Sequence, residues 1–292
     1  MPARKSEIHM HSNFSDGELS PTSLVEMALQ KNVSILSLTD HDTFRGIGEL
    51  IEAAESTEIT AFPGIEITVS YRDFNIHLLG YFKNIDSISA ELWSRVEAMQ
   101  QQREDRMVQL IAKINKVIPG PFQGSLQMDN VKKASEGVLG RPHLAREMVR
   151  LKIVADFYEA FEKYLSPYNI EKENLSAEEA IRLIRCSGGI PVVAHPGERQ
   201  YSLYSPANGR DFEEVPGMVE ELKLFGLLGL ECVYPYHEKS GTVDYFLDLA
   251  DRAGLIATGS RDFHGFRAPQ RNNFGTTPID DSFLDRFQAA WG

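Results

Sequence analysis

The sequence contains only two cysteines, Cys186 and Cys232, among its 292 residues. They do not form a C-x-x-C pair, and small domains that depend on disulfides carry many more cysteines. We therefore expect neither a disulfide framework nor a zinc–thiolate site. Both cysteines are interpreted as small core residues.

Long hydrophobic runs are missing as well. No segment approaches the roughly 18 consecutive apolar residues of a membrane-spanning helix. The start of the sequence, MPARKSEIHM, contains no apolar stretch of the kind found in signal peptides. We therefore expect a cytoplasmic protein with no membrane partner.

Positive charge is scarce, with 30 Lys and Arg against 42 Asp and Glu and a formal net charge of −12. This balance argues against a protein that covers long duplex nucleic acid with a broad basic surface. It does not exclude a local site for a small anion, because bound cations dominate the electric field close to them.

Several motifs of nucleotide-binding proteins and hydrolases are absent. Gly46-Ile-Gly48 begins like a dinucleotide-binding loop, but Ile51 stands where the third glycine belongs. The sequence also contains no G-x-S-x-G and no G-x-x-x-x-G-K-[ST] pattern. A Rossmann cofactor site, a serine hydrolase and a P-loop enzyme are therefore unsupported.

What the sequence does contain is an alternation of strand and helix signals. Ser20-Pro21 and the apolar positions after it predict a capped helix over 21–31, between strand-like segments at 7–11 and 34–39. Further strand signals lie at 59–65, 76–79, 190–194, 229–233 and 255–259. This order predicts an α/β protein with a mainly parallel sheet or barrel.

The middle of the chain has a different pattern. Apolar residues keep helical spacing from Leu92 onward, and Ser176 to Glu179 form a capping-box pattern at the start of a later helix. We predict a helical insertion subdomain over 86–186, with the α/β domain formed by 1–85 and 187–292.

The eight histidines lie mostly where predicted strands end, with carboxylates among them. In a β/α barrel these strand ends share one face, so residues far apart in sequence meet there. His9 and His11 form an H-x-H pair, which points both imidazoles to the same side of a strand. The recurrence predicts a metal cluster, and a set without thiolates favours manganese, iron or zinc.

The motifs at these strand ends resemble those of the PHP family, named for polymerase and histidinol phosphatase. They are HMHSNFSDG, LTDHD, GIEIT, NIHLLGY, VVAHPG and GSRDFHG, spread over residues 8–265. The resemblance implies a distorted (β/α)7 TIM-like barrel that carries up to three divalent metal ions. We expect two or three ions here, with manganese favoured and iron or zinc as alternatives.

The resemblance also implies which residues hold the ions. One ion would be held by His9, His11, Glu66 and Asp262. Glu66 would bridge to a second ion completed by His77 and His195, and a third would be held by Asp16, His41 and His264. These nine residues are the predicted metal-binding and catalytic set. Asp40 and Asp42 are interpreted as partners that orient His41.

Such a cluster favours hydrolysis of a phosphoester by a metal-bridging hydroxide, because paired ions activate water and hold the oxygens of a displacement at phosphorus. Amide hydrolysis is the alternative within metal chemistry, and it needs no basic phosphate clamp. Candidate clamp residues are Arg141 and His143 in the helical segment, with Arg199 and Arg261 near the strand ends. Each of them has an alternative role in helix capping or as a surface charge.

Two further features stay open at this point. His237, which follows Glu231 at a strand end, matches none of the nine ligands. It could contact substrate, donate a proton or cap its loop, and the loop role is preferred. Four tyrosines could stack a nucleobase or simply pack, namely Tyr71, Tyr201, Tyr204 and Tyr236.

The segment GRPHLAR and the size of the helical insertion are similar to one PHP branch, the nucleoside 3',5'-bisphosphate phosphatases and 5'-3' exoribonucleases. This implies a small nucleotide such as pAp, which would lose its 3' phosphate, or a short oligonucleotide trimmed from its 5' end. Histidinol phosphate phosphatase and a noncatalytic, metal-stabilised accessory module are the alternatives. The oligomeric state is left open.

Overall fold

The structure is a computed structural model that describes residues 5–133, 139–170, 173–198, 200–266, 273–278 and 283–291. The chain divides into two compact units. The first comprises Met1–Arg95 and Asn174–Gly292, and the second comprises Val96–Glu173. The predicted insertion at 86–186 is wider than the second unit, and its identity as a separate domain stays a prediction.

The first unit is built on one sheet. Within the described residues its nine strands are β1 (Lys5–Glu7), β2 (Ile35–Leu38), β3 (Thr60–Tyr71), β4 (Phe74–Tyr81), β5 (Leu175–Ser176), β6 (Ile190–Val193), β7 (Gly229–Val233), β8 (Ile256–Gly259) and β9 (Thr277–Pro278). They follow the order β8-β7-β6-β4-β3-β2-β1-β9, and β5 pairs with β3. Neighbouring strands are parallel except at β3/β4, β4/β6 and β1/β9.

The helices complete the chain order. They are α1 (Pro21–Lys31), α2 (Ile47–Ala54), α3 (Ala90–Asn115), α4 (Met128–Lys133), α5 (Arg141–Arg150), α6 (Phe157–Ala160), α7 (Ala177–Cys186), α8 (Val215–Leu224), α9 (Pro235–Ser240), α10 (Val243–Ala253) and α11 (Phe283–Trp291). A short π-helical turn, Phe161–Leu165, follows α6. None of the helices in the described part of the chain combines the length and the apolarity that a membrane crossing requires.

The helix α1 has the bounds that its sequence predicts. The Ser20 hydroxyl accepts a hydrogen bond from the Ser23 amide, and Pro21 occupies the first helical position. The helix ends at Asn32, which adopts a left-handed conformation with φ +56°. Short side chains tolerate this conformation better than most residues do.

The strand predicted at 59–65 is longer than expected. It continues past residue 65 into a hairpin with β4, so that β3 runs from Thr60 to Tyr71. Each residue from Gly64 to Tyr71 pairs with a residue of β4, and this ladder keeps the strand extended. The hairpin then turns at Arg72, which has φ +52°.

The sheet is not closed by a continuous ladder, yet segments near its two ends meet. Met10, after β1, forms a parallel bridge with Phe263, after β8. The His11 amide donates to the Phe263 carbonyl at 2.8 Å. The loops that follow β1 and β8 therefore lie side by side, and the polar side chains that they carry come close to one another.

Apolar side chains fill both sides of this sheet. One cluster packs α1 and α2 against the sheet through Leu24, Ala28, Leu36 and Leu50. A second lies on the other side and includes Ile8, Ile35, Leu79, Val192 and Phe287. Each fully buried side chain of this kind stabilises a fold by about 1.5–3 kcal/mol, so these clusters give the polar site a rigid base.

The second unit is helical and has an apolar core of its own. The core joins the end of α3 to α5 and the π-helical turn through Leu110, Ile114, Leu144, Met148 and Leu165. The helical character predicted for this part of the sequence is therefore observed.

Candidate metal centre

His9 and His11 follow β1 and alternate with the buried residues Ile8 and Met10. Successive side chains of an extended chain point to opposite sides, so the apolar pair enters the core while both imidazoles face one direction. The two ring centroids are 5.4 Å apart, and both rings are fully buried. The amides of Ile8 and His9 donate to the Ser260 hydroxyl, which fixes this segment against the loop after β8.

Glu66 on β3 is the centre of the cluster, and only 1% of this residue is exposed. Its two carboxylate oxygens contact five imidazoles, those of His9, His11, His41, His77 and His195. Oε2 lies 3.1–3.3 Å from nitrogens of the first three rings. Oε1 lies 2.8 and 3.2 Å from nitrogens of the last two.

The first predicted ligand group is brought together completely. Asp262 Oδ1 lies 3.4 Å from His9 Nε2 and 3.1 Å from His11 Nε2. One ligand atom from each of these residues and from Glu66 lies within 4.8 Å of all the others. A single cation could contact all four side chains.

The second predicted group forms a triangle. The Glu66 Oε1 atom is 2.8 Å from His77 Nδ1 and 3.2 Å from His195 Nε2, and the two nitrogens are 3.3 Å apart. His77 comes from β4 and His195 follows β6, so antiparallel neighbours in the sheet supply these two rings.

The third predicted group lies at the solvent-exposed side of the cluster. Asp16 Oδ1 is 3.3 Å from His264 Nε2, and Asp16 Oδ2 is 3.8 Å from His41 Nε2. His11 Nδ1 is also within 3.6 Å of Asp16. The Asp16 side chain is 47% exposed, whereas the rings around it are largely buried. The structure thus brings all nine predicted residues together, and their role as metal ligands stays a prediction.

Two of these nine residues adopt an unusual backbone conformation. His195 has φ +29° and Asp262 has φ +50°, although neither is glycine. Such conformations cost on the order of 1–3 kcal/mol each and persist where the surrounding structure holds them. The rest of the fold therefore stabilises an arrangement that these two loops would not adopt alone.

The cluster leaves polar atoms without hydrogen bonds. Four buried side-chain atoms at its centre have no hydrogen-bond partner among the described residues, namely His9 Nε2, His11 Nε2, His41 Nδ1 and Glu66 Oε2. A buried polar atom in this state costs about 1–3 kcal/mol unless something else contacts it. Imidazole and carboxylate donors that converge in this way fit divalent metal ions.

Electrostatics at the centre favour positive charge. Burial raises the pKa of Glu66, but the imidazoles of His41 and His77 outweigh burial and hold that pKa well below its usual range. Burial lowers the pKa of His11, but the nearby carboxylates of Asp262 and Glu66 outweigh burial and raise this pKa to about 10. The carboxylates therefore keep their negative charge where the ring nitrogens converge.

A cavity of about 190 Å³ opens onto the cluster. Seven of the nine predicted ligands line it, together with Glu198, Gln200 and Tyr201. This volume is far below the 300–1,000 Å³ that is typical of pockets enclosing a whole drug-sized ligand. It has room for a small group such as a phosphate.

No Arg or Lys is present among the described residues that line this cavity. Arg261 is nearly buried, and its guanidinium group binds the Glu238 carboxylate at 2.5 and 2.9 Å and the Thr277 hydroxyl at 3.0 Å. Arg199 lies outside the described residues. The phosphate-clamp role expected of Arg199 therefore stays a prediction, and the structure gives Arg261 a different partner.

The other two clamp candidates belong to the second unit. Arg141 donates to Asn169 Oδ1 at 3.2 Å, and its guanidinium carbon lies 5.6 Å from the centre of the Phe161 ring. His143 Nδ1 accepts a hydrogen bond from the Gly140 amide at 3.1 Å, which is a helix-capping contact. The capping alternative is therefore observed for His143, and a contact of either residue with phosphate stays a prediction.

His237 uses both of its ring nitrogens within its own surroundings. Nε2 accepts from the Gly197 amide at 3.0 Å, and Nδ1 lies 2.8 Å from the Cys232 carbonyl, to which it donates. The ring is fully buried and stacks on Phe246 with centroids 4.2 Å apart. These contacts support the loop role preferred in the sequence. Both ring nitrogens that a contact with substrate would use are already engaged.

Asp40 has a different role from the one expected. Its carboxylate accepts from the Ser12 amide at 2.7 Å, the Ser12 hydroxyl at 2.6 Å and the Ser15 hydroxyl at 2.5 Å. It therefore holds the loop between His11 and Asp16 rather than orienting His41. Asp42 Oδ1 accepts from the Thr68 amide at 3.0 Å.

The sequence did not assign a role to Glu231, which is buried on β7. Its carboxylate contacts His9 Nδ1 at 3.0 and 3.2 Å and accepts from the His195 amide at 2.8 Å. A signal was present, since an acidic residue inside the apolar strand GLECV needs a buried partner. The identity of that partner depends on the strand order.

Comparison with known proteins gives the same family as the motifs. The family model described as the PHP domain matches residues 7–169. The chain is 31% identical over 263 residues to a 3',5'-nucleoside bisphosphate phosphatase of Chromobacterium violaceum, with 88% of this chain and 86% of the relative covered. It is 34% identical over 197 residues to a 5'-3' exoribonuclease of Haemophilus influenzae, with 66% and 69% covered.

A solved structure agrees with these sequence relatives. A crystal structure described as that of a metal-dependent phosphoesterase from Bifidobacterium adolescentis superposes with a TM-score of 0.78 at 26% identity, covering 99% of this chain and 97% of the other. The predicted α/β fold is confirmed by this likeness, and a sheet without a closing ladder is compatible with a distorted barrel. The sequence matches and the structural match together show that this chain belongs to the PHP family.

Proposed function

We propose that this chain is a metal-dependent phosphoesterase that hydrolyses a phosphate ester of a small nucleotide. The observation that carries the proposal is the convergence of five imidazoles on the buried carboxylate of Glu66. The names of the relatives support hydrolysis at phosphorus, since they describe a phosphatase, an exoribonuclease and a phosphoesterase.

Three groups of side chains would hold the ions. They are His9, His11, Glu66 and Asp262 for the first, Glu66, His77 and His195 for the second, and Asp16, His41 and His264 for the third. Divalent ions bound there supply a lowered pKa for water and neutralise charge on phosphoryl oxygens. We propose two or three ions, with manganese preferred over iron or zinc because carboxylate oxygens are interleaved with the imidazoles.

The protein's own groups position these side chains. Glu231 contacts His9 Nδ1, which leaves His9 Nε2 directed at Glu66 and Asp262. The Tyr234 hydroxyl donates to Glu198 at 2.8 Å and lies 3.1 Å from Asp262 Oδ2. Because these contacts are made before any substrate arrives, little reorganisation is needed during the reaction.

The cavity sets the size of the reacting group. A phosphate of the substrate would occupy this cavity of about 190 Å³, and the rest of the nucleotide would extend from it toward solvent. Asp16, whose side chain is 47% exposed, lines the solvent side of the cavity. This arrangement suits a terminal phosphate of a short substrate.

We propose a nucleoside 3',5'-bisphosphate such as pAp as the substrate, with release of the 3' phosphate, or a short oligonucleotide trimmed from its 5' end. The preference rests on the relatives named for these activities. The cavity lining does not decide against amide hydrolysis, because no basic residue is among its described members. The choice of phosphoester chemistry therefore depends on the family relatives.

A phosphate-release screen tests this proposal. Purified protein with added manganese is given pAp, mononucleotides, 5'-phosphorylated short RNA, histidinol phosphate and an N-acetylated amino acid. We expect release of phosphate from pAp, or of mononucleotides from the RNA, at a rate well above the release of phosphate from histidinol phosphate. Release only from histidinol phosphate would favour that alternative, and release only of acetate would favour amide hydrolysis.

The Glu66→Gln variant is the control in this screen. It keeps the size of the side chain but removes its charge.

The same screen tests the alternative of a noncatalytic accessory module. Such a module would show no turnover of any substrate by the unmodified protein while still binding manganese. Equal turnover by the variant and the unmodified protein would exclude Glu66 as the centre of the site.

The clamp residues are tested separately. If Arg141 grips a phosphate of the substrate, Arg141→Ala raises KM for pAp, whereas Arg150→Ala on the same helix does not. Arg150 is a suitable control because its guanidinium group already binds Glu147. An unchanged KM in Arg141→Ala would leave this residue with the contacts to Asn169 and Phe161 alone.

A further inference from the structure

Tyr201 is an exposed aromatic residue at the cavity. It lines the cavity beside Glu198 and Gln200, yet 47% of the residue is exposed. One face of its ring is covered by His77, with ring centroids 4.5 Å apart and an angle of 12° between the planes. Among the described residues, His77 is the ring that Tyr201 contacts, which leaves the opposite face without an aromatic neighbour.

The backbone holds Tyr201 in this position. The residue has φ +48°, a conformation that a large side chain rarely adopts. Its carbonyl accepts a hydrogen bond from the His77 amide at 3.0 Å. A strained residue that is held by a proposed ligand's own backbone is typical of a binding site rather than of a surface loop.

The other three tyrosines singled out in the sequence have different partners. Tyr71 is buried, and its hydroxyl donates to Glu221 at 2.8 Å. Tyr204 stacks on Phe212 with centroids 4.0 Å apart. Neither they nor Tyr236 are among the described residues that line the cavity. Of the four, Tyr201 alone combines exposure with a place at the site.

The size of the cavity indicates a role for Tyr201. If a phosphate of the substrate occupies this cavity of about 190 Å³, the attached sugar and base extend to its solvent side, where Tyr201 is exposed. An exposed tyrosine face binds any nucleobase by stacking, because every base presents a π-face.

We propose that the face of Tyr201 opposite His77 is a stacking subsite for the nucleobase of the substrate. This inference rests on the proposed function, since it assumes that a nucleotide phosphate enters the cavity. The subsite recognises a base without selecting its identity, so adenine, guanine, cytosine and uracil nucleotides are all accepted. Its contribution is to substrate binding, and the reaction itself does not use it.

Two substrates distinguish this role from a structural one. They are pAp and its abasic analogue, 1-deoxyribose 3,5-bisphosphate, which carries both phosphates without a base. Tyr201→Ala should raise KM for pAp about tenfold, within the range observed when one stacked base is lost. KM for the abasic analogue should rise much less, and any loss of kcat that follows from uncovering His77 should be equal for the two substrates. Tyr201→Phe keeps the ring and should retain the preference for pAp over the abasic analogue.

Tyr204→Ala is the matched control, because it removes a stacked tyrosine from the same segment away from the cavity. If Tyr201→Ala raises KM equally for both substrates, or changes only kcat, the ring serves to hold His77 and the subsite is wrong. If neither substrate is affected, the subsite is also wrong. Only a rise in KM that is much larger for the substrate with a base supports it.

A binding measurement separates this inference from the proposed function. Manganese-loaded protein is titrated by calorimetry with 3'-phosphonate analogues of pAp and of the abasic compound, in which a P–C bond replaces the P–O bond that would be hydrolysed. The unmodified protein should bind the analogue with a base about tenfold more tightly, and Tyr201→Ala should bind the two analogues equally. Equal binding by the unmodified protein overturns the subsite whether or not it releases phosphate, whereas failure to release phosphate from any nucleotide overturns the proposed function alone.

Discussion

The carboxylate of Glu231 contacts the Nδ1 atom of His9 through both of its oxygens, at 3.0 and 3.2 Å. Because Nδ1 is engaged, Nε2 is the nitrogen of His9 that faces Glu66 and Asp262. The same carboxylate accepts from the His195 amide at 2.8 Å. One buried acid on β7 therefore positions two proposed ligands that come from different strands.

Glu231→Gln should weaken metal binding. A glutamine has one acceptor oxygen, so it cannot serve the His9 ring and the His195 amide as the carboxylate does. Loss of such outer contacts costs about 10–100-fold in metal affinity, and we expect a decrease of this size. Manganese titration of the apo-protein measures it. Glu220→Gln is the control, since Glu220 is exposed and pairs with Lys223.

Unchanged manganese affinity in Glu231→Gln would contradict the positioning role. A loss of the folded state would show up in circular dichroism, and in that case Glu231→Asp provides the second test. Aspartate keeps both oxygens but is shorter, so it should lose affinity through misplacement of His9 alone.

Glu66→Gln should remove both metal and activity. The amide cannot carry the negative charge that the surrounding imidazoles stabilise, and the pKa of Glu66 shows how strongly they favour the ionised form. We expect phosphate release to fall by more than about 100-fold, together with a lower manganese content. Elemental analysis and a phosphate assay measure these. Glu49→Gln on α2 is the control, because its carboxylate only accepts from Thr22 at the surface.

Removal of metal should lower stability as well as activity. Ions that bind only the folded state stabilise it by about 2.7 kcal/mol at a hundred times their Kd. In chains of about 150–250 residues each kcal/mol corresponds to about 2–4 °C in Tm, so in this somewhat longer chain chelation should lower Tm by a few degrees. Added manganese should restore both Tm and phosphate release. Chelation of the Glu66→Gln variant should change Tm much less, and an equal change in both proteins would contradict the proposed site.

Gly17→Ala should disturb the loop that carries Asp16. An added Cβ at Gly17 would lie 2.2 Å from the His11 carbonyl oxygen, which forces the backbone to move. Overpacking of this kind costs about 1–3 kcal/mol, and urea unfolding should show it. Gly48→Ala is a matched control, since a Cβ there meets nothing within 4 Å and the residue lies in α2. It should be neutral or stabilising by up to about 1 kcal/mol, so equal effects of the two changes would contradict the expectation.

His237 should make the fold sensitive to acid. Burial lowers the pKa of His237 to about 4, against an ordinary value of 6.5. Between these values the unfolded chain binds the proton and the folded protein does not, so the free energy of unfolding decreases as pH falls from about 6.5 toward 4. The contribution of this residue between pH 7 and pH 5 is on the order of 2 kcal/mol.

The measurement compares urea unfolding at pH 7 and pH 5 for the unmodified protein and His237→Gln. Glutamine keeps one donor and one acceptor for Cys232 and Gly197 but does not titrate in this range. The variant should lose less stability between the two pH values than the unmodified protein. An equal loss in both proteins would show that His237 is not the acid-sensitive group.

The sequence by itself determined the local elements and the composition of the site. Ser20 and Pro21 specify the start of α1 through contacts within the first turn, so no distant residue is needed. Histidines and carboxylates near strand ends indicate a metal cluster, because the strand ends of a β/α fold meet on one face. The resemblance to the PHP family then implies which nine residues form it. The motifs also identified the family, which the family model and the relatives confirm.

Only the tertiary structure decided which side chains contact each other. Glu231 contacts His9 because β7 pairs with β8 and the loop after β8 lies beside the segment after β1, and nothing local to GLECV specifies that arrangement. The contacts of Asp40 with Ser12, and of Tyr201 with His77, likewise depend on neighbouring strands. Helix caps are set by residues a few positions apart, whereas these contacts are set by the order and register of the sheet. The pattern of a sequence therefore lists the candidate groups, and the packing of the strands assigns each group its partner.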